Sequence, residues 1–172
     1  MTTARQHPPQ VQQLQLFKQE GEMRCWFRKY SLRMVQEESA MYDCSRKVQN
    51  GKDVAEVCRV VLGLHEMAEE HLAVLFLDAK NVVMGISTVS HGTLTASLIH
   101  PREVYKAALL ANCNSIILAH NHPSGDVQPS AADKNVTRVI KDAGSLLQIE
   151  LLDHVIVGVG GAFYSFRDNR DL

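Results

Sequence analysis

Nowhere do the 172 residues contain the run of roughly 18 consecutive apolar residues that a membrane-spanning helix needs. The N-terminus is polar and Gln-rich and lacks the apolar core of a secretory signal. No Cys-x-x-Cys pair occurs. Cys25, Cys44, Cys58 and Cys113 stand at wide, irregular spacings, which argues against a zinc knuckle or a dithiol redox motif. Reduced thiols in a cytoplasmic protein are the expectation. Charge of one sign is lacking too. The net charge is −1 with 22% charged residues, so no electrostatic excess points to nucleic acid, and direct binding to it is not expected.

What is present is a hydrophobic fraction of 45%, enough for a buried core. Residues 1–21, with Pro8 and Pro9, read as a loosely ordered tail. Leu14 and Phe17 allow a short helix over 11–18. Residues 22–49 read as an extension packing on the domain, with a strand over 30–35, and residues 50–172 read as the domain itself.

Within that domain, Val54, Val57, Cys58, Val61 and Leu62 recur at helical spacing and predict a helix over 51–65. Residues 71–78 are apolar almost throughout, which marks a central strand. Asn81 marks a turn, 82–89 a second strand, Gly92-Thr93 another turn, and 97–100 a short strand. Pro101 sits where a helix over 103–113 begins. A buried strand follows over 115–119, then a helix over 131–143, strands over 146–151 and 155–159, and a last strand over 163–166. Strands interleaved with helices give an α/β fold, a mixed sheet flanked by helices.

Between the strand at 115–119 and the helix at 131–143 lie His120-Asn121-His122-Pro123-Ser124-Gly125-Asp126, then Ser130 and Asp133. Side chains two apart in an extended segment share a face, so His120 and His122 can converge on one ion. Pro123 and Gly125 bend the chain. The bend returns a helix start, with Asp133 in its first turn. Two imidazoles and one carboxylate leave a fourth position of a tetrahedral zinc open, the mark of a catalytic site. The residues alone also allow a plainer reading. Ser130-x-x-Asp133 is a capping-box variant, which would make Asp133 a capping carboxylate and Ser130 an N-cap. Asp126 reads as a turn carboxylate. His154 reads as a structural hydrogen-bonding residue that could approach the site from behind. His7, His65, His91 and His100 read as surface or turn residues.

The run His-x-His-Pro, six residues, Ser, two residues, Asp resembles the metal-binding core of the JAMM metalloproteases, also called MPN-plus or JAB. The wording His-Asn-His-Pro-Ser-Gly-Asp resembles the bacterial RadC branch in particular. The resemblance runs from about Asn50 to the C-terminus and takes in Gly92-Thr93, His100-Pro101-Arg102-Glu103-Val104 and Leu152-Asp153-His154-Val155. It implies a curved, mostly antiparallel sheet with helices packed on it, layered as in cytidine deaminases. It implies one zinc held by His120, His122 and Asp133, and peptidase or isopeptidase chemistry on a protein or peptide substrate. Ser130 would then support the oxyanion. A general acid/base Glu is implied upstream, at the start of a core strand. Glu66, Glu69 and Glu70 stand there, and Glu70 fits the phase best, although His71 takes the place usually held by Phe. Longer RadC relatives carry a helical, DNA-binding-like module ahead of this domain. The stretch before residue 50 is too short to hold one, so this chain resembles a short form, essentially the catalytic domain. That weakens a DNA-repair or mobile-element role, and a non-catalytic scaffold is the other alternative.

Overall fold

The computed structural model describes residues 28–31, 34–36, 40–91 and 99–172. The chain divides into two units, Met1–Ser31 and Leu32–Leu172. The sheet, its helices and the site all belong to the second. Its elements run α1 (Gly51–Leu62), β1 (His71–Leu77), β2 (Val83–His91), α2 (Pro101–Ala111), β3 (Ser115–Asn121), α3 (Ala131–Leu147), β4 (Glu150–Val157) and β5 (Phe163–Ser165). The strands form one sheet in the order β2-β1-β3-β4-β5. Only β3 and β4 pair in parallel, and the other three pairings are antiparallel. This is the expected α/β architecture with a mixed, mostly antiparallel sheet.

Helices cover both faces of the sheet, which is why Leu72–Leu77 and Ile116–Ala119 of its central strands are apolar. All seven residues of β3 are buried. On one face Leu72, Val74, Phe76, Ile116 and Leu118 meet α2 and α3 through Val104 and Ile140. On the other, Leu75, Leu77, Ile117 and Val155 meet α1 through Val54 and Cys58. Each such side chain contributes on the order of 1.5–3 kcal/mol by leaving water. Burial also pushes the Cys58 thiol up to about 12. No described helix is long and apolar enough to cross a membrane.

Helix ends follow local chemistry. Asn50 caps α1 by accepting from the Asp53 amide at 3.0 Å. Gly63, with φ 60°, stops α1 sooner than the predicted residue 65, and Leu64–Glu66 form a separate 3-10 turn. Pro101 opens α2 after an extended His100. Four differences from the sequence reading concern strands. β3 runs on to Asn121, so His120 lies inside it. The two strands expected over 146–151 and 155–159 are one strand, β4, because α3 continues through Leu147 and Gln148 closes it at φ 56°. Residues 30, 31, 34 and 35 carry no strand, and Leu32 and Arg33 lie outside the described residues. Ile99 and His100 are likewise not in a strand. The expected helix over 11–18 and the turn at Gly92-Thr93 also lie outside the described residues.

β4 carries a bulge that matters for the site. Ile116 pairs with Leu151, but Ile117 pairs with Asp153, so Leu152 is the extra residue. Beyond it Leu118 pairs with His154. Because a one-residue shift exchanges the faces, His154 lies on the α3 side and Asp153 on the α1 side. Asp153 is fully buried there and accepts from the His154 amide at 2.7 Å, Ser165 Oγ at 2.6 Å and the Arg167 amide at 3.0 Å.

α2 and α3 meet closely around Tyr105 and Gly144. Tyr105 Oη donates to the Ile140 carbonyl at 2.9 Å. A Cβ on Gly144 would collide with Tyr105 Oη and stand 2.5 Å from the Ile149 carbonyl oxygen. Alanine gains up to about 1 kcal/mol in helix propensity, but overpacking costs about 1–3 kcal/mol. Gly144→Ala is therefore predicted to destabilise the fold by a net of up to about 2 kcal/mol, read as a lower urea midpoint with an unchanged slope. A midpoint at or above that of the wild type would show that this contact yields freely.

Candidate metal centre

The site sits where β3 ends, on the face that α3 covers. His120 is the penultimate residue of β3, opposite Leu72 of β1 and Ile156 of β4, and is fully buried. His122 lies just past the strand and stays in line because its amide donates to the Val157 carbonyl at 3.1 Å. The chain then turns. The Gly125 amide donates back to the His122 carbonyl at 2.9 Å, with Gly125 at φ 81°. The turn rests on Gly158, where a Cβ would lie 2.6 Å from Val127 Cγ1 and 2.9 Å from the Gly125 carbonyl oxygen. Asp126 accepts from the Gln128 amide at 3.0 Å, the turn role expected of it.

Ser130 and Asp133 open α3 as a full capping box. Asp133 Oδ2 accepts from the Ser130 amide at 2.7 Å and from Ser130 Oγ at 2.6 Å, while the Asp133 amide donates to Ser130 Oγ at 3.2 Å. Its other oxygen, Oδ1, lies 3.3 Å from His120 Nε2. The carboxylate thus divides its work: Oδ2 holds the helix end and lies 3.5 Å from His122 Nε2, while Oδ1 faces His120. Burial pushes its pKa up, but His120 beside it and the Ser130 donors outweigh that and hold it well below the usual carboxylate range.

His120, His122 and Asp133 form a group whose donor atoms could hold a metal ion. His120 Nε2 lies 3.0 Å from His122 Nε2 and 3.3 Å from Asp133 Oδ1, and His122 Nε2 lies 3.5 Å from Asp133 Oδ2. Ligands about 2.0–2.1 Å from a tetrahedral ion are separated by about 3.3 Å, so the spacing fits. The donor chemistry fits as well. His122 Nδ1 faces the Asp126 carbonyl at 2.6 Å. A carbonyl only accepts, so the ring donates through Nδ1, and in the neutral ring Nε2 offers its lone pair.

Behind the group, His120 Nδ1 meets His154 Nε2 at 2.8 Å, and His154 Nδ1 meets Thr137 Oγ1 at 2.6 Å. His154 stacks on Phe166 with ring centroids 4.9 Å apart. Burial, and secondarily the neighbouring His120, hold its pKa well below the ordinary histidine value. It therefore approaches from behind, as its position before an apolar strand suggested. Two residues escaped the sequence reading. Thr137 stands one helical turn after Asp133, a spacing that could have flagged it. Asn121, between the histidines, was assigned no role. Its side chain accepts from the His71 amide at 2.8 Å and donates to the Met67 and Glu69 carbonyls at 3.2 and 3.0 Å. Asn121 thereby pins the backbone on both sides of Glu70. Glu70 itself is half-buried, in phase with Leu72, the residue opposite His120.

A buried strand end and a helix start that aim two imidazoles and a carboxylate at one point define an α/β domain built around a candidate metal centre. The RadC-like JAB domain model matches residues 48–171, and the chain belongs to this family. It is 57% identical over 123 residues to a UPF0758 protein of Chlorobaculum tepidum, covering 72% of this chain and 54% of that protein. It is 54% identical over 125 residues to a UPF0758 protein of Chlorobaculum parvum, covering 73% and 55%. A UPF0758 protein of Symbiobacterium thermophilum is 52% identical over 99 residues, covering 58% and 42%. The chain thus spans about half the length of the curated relatives it matches.

Removing the Ser130 hydroxyl deletes two of the three capping-box bonds. Ser130→Ala is predicted to cost about 1 kcal/mol of stability in metal-free protein, read by urea denaturation. A loss below a few tenths of a kcal/mol would mean the Ser130 amide alone secures the helix start.

Proposed function

We propose that this chain is a zinc-dependent peptidase or isopeptidase of JAMM type, held in the bacterial cytoplasm, where a reducing environment suits its free Cys44, Cys58 and Cys113. The observation that carries the reading is the gathering of three metal-capable groups at the end of a buried strand, one ligand atom from each lying within 4.8 Å of the others. His120, His122 and Asp133 would hold the ion. When bound, zinc polarises a carbonyl and acidifies a water. Zinc suits two imidazoles and a carboxylate with one position left over.

Glu70 is assigned the proton transfers. It would take the proton of the attacking water and deliver it to the leaving amine. Support comes from its phase with Leu72, opposite His120, and from the hold that Asn121 has on Glu69 and His71. Glu66 and Glu69 are both exposed and are assigned no role. Ser130 is assigned the developing oxyanion. Its hydroxyl hydrogen lies on Asp133 Oδ2, so this role requires that hydrogen to swing towards the substrate, while the Ser130 amide keeps its bond to Oδ2. The substrate class is a protein or peptide amide, since a net charge of −1 supplies no field for a polyanion.

Elemental analysis of protein purified without added metal should find about one zinc per chain, lost in His120→Ala and in Asp133→Asn. Glu70→Gln should keep the zinc and lose about 10²–10⁴-fold in cleavage across a peptide library. A zinc-free wild type would remove the basis of the proposal. Equal cleavage by wild type and Glu70→Gln would assign the base elsewhere. Zinc without any cleavage, by wild type and Glu70→Gln alike, would favour a scaffold.

A further inference from the structure

We infer that Thr137 and His154 form a positioning relay that fixes the proton of His120 on Nδ1 and leaves Nε2 bare towards the metal. The inference rests on the proposed metal site but is read from hydrogen-bond direction and from the burial of His154. The chain of reasoning starts at the Asp133 carbonyl, which can only accept. Thr137 Oγ1 lies 2.6 Å from it and donates its single hydrogen there. Towards His154 Nδ1, at 2.6 Å, Thr137 can then only accept, so Nδ1 carries a hydrogen. His154 is 1% exposed, and a charged ring at that depth would be costly, so the ring is neutral and has no second hydrogen. Its Nε2 must accept, and the partner 2.8 Å away, His120 Nδ1, must donate. Whenever His120 carries a single hydrogen, as a metal ligand must, that hydrogen is thereby placed on Nδ1. Its Nε2 lone pair faces His122 Nε2 and Asp133 Oδ1.

The relay has a closed form. It begins on the main chain of one candidate ligand, Asp133, and ends on the ring of another, His120. Thr137 and His154 are 3% and 1% exposed, so water does not compete for these bonds. The β4 bulge at Leu152 is what turns His154 to this side of the sheet. A relay of this kind differs from mere packing in one respect: it depends on one hydroxyl hydrogen. Without that hydroxyl, His154 is free to place its hydrogen on Nε2 and donate to His120, which would drive the His120 hydrogen onto the ligand atom.

The test uses Thr137→Val and Thr137→Ser in the full chain. Histidine ¹⁵N spectra of metal-free protein under mildly alkaline conditions report which nitrogen of His120 is protonated. Chelator competition reports zinc affinity. Wild type and Thr137→Ser are expected to show His120 protonated at Nδ1. Thr137→Val should show a shift towards Nε2 and a zinc affinity lower by about 10–100-fold. A wild-type His120 protonated at Nε2 overturns the inference. So does a folded Thr137→Val with unchanged zinc affinity and an unchanged His120 spectrum. If no form of the protein takes up zinc, the metal reading fails separately, and the ¹⁵N response alone decides the relay. If Thr137→Val does not fold, His154→Gln and His154→Leu answer the same question. The Gln amide keeps one donor and one acceptor, so its zinc affinity should stay near wild type while Leu loses it; equal affinities would overturn the relay.

Discussion

Two imidazole nitrogens and a carboxylate gathered with one ligand atom from each within 4.8 Å of the others offer lone pairs that repel unless a proton or a metal ion lies between them. The surrounding fold is arranged to hold that gathering in place and to keep water from relaxing it. His120 is fixed by β1 on one side and β4 on the other. His122 is fixed by the Val157 carbonyl and the Asp126 carbonyl. Asp133 is fixed by the capping box that starts α3. The two histidines are thus tied to the sheet and Asp133 to α3, and sheet and helix are tied to one another through a core of buried Leu, Ile and Val. Geometry set by a sheet and a helix is stiffer than geometry set by one loop, and a metal-binding constellation needs that stiffness.

The same economy appears in residues that serve twice. Asp133 closes a helix with one oxygen and faces an imidazole with the other. Asn121 belongs to β3 by its backbone, while its side chain holds the segment that leads into β1. Thr137 takes part in α3 and turns its hydroxyl to the Asp133 carbonyl and His154. Such double service makes these positions poor candidates for substitution even where no chemistry is asked of them.

How far the amino-acid order disclosed this depends on the range of the interaction. The convergence of His120, His122 and Asp133 rests on local rules, a strand period of two and a helix start after a Pro-Gly bend, so it was legible. The α/β class was legible because Ile116–Ala119 and Leu72–Leu77 are apolar without interruption, as strands covered on both faces are. β4 was misjudged because Asp153 and His154 interrupt an apolar run and read as a break. They are buried polar residues whose partners, Ser165, Arg167, Thr137 and His120, lie elsewhere in the chain. The end of α3 was misplaced because Leu146 and Leu147 read as strand, whereas both are at least partly exposed at a helix end. Asn121 and Thr137 passed unnoticed because their work is done across the sheet, which no local period reveals.

The extra residue in β4 has an electrostatic consequence. With a regular ladder, the Asp153 side chain would turn to the α3 side, and His120 would back onto a carboxylate, the commoner companion of a metal-bound histidine. The bulge exchanges that anion for an uncharged ring and sends the carboxylate to the opposite layer, where Ser165 and Arg167 engage it. Asp133 would then be the one carboxylate among the ligands of an ion held there, and an ion with fewer anionic groups around it keeps more positive charge.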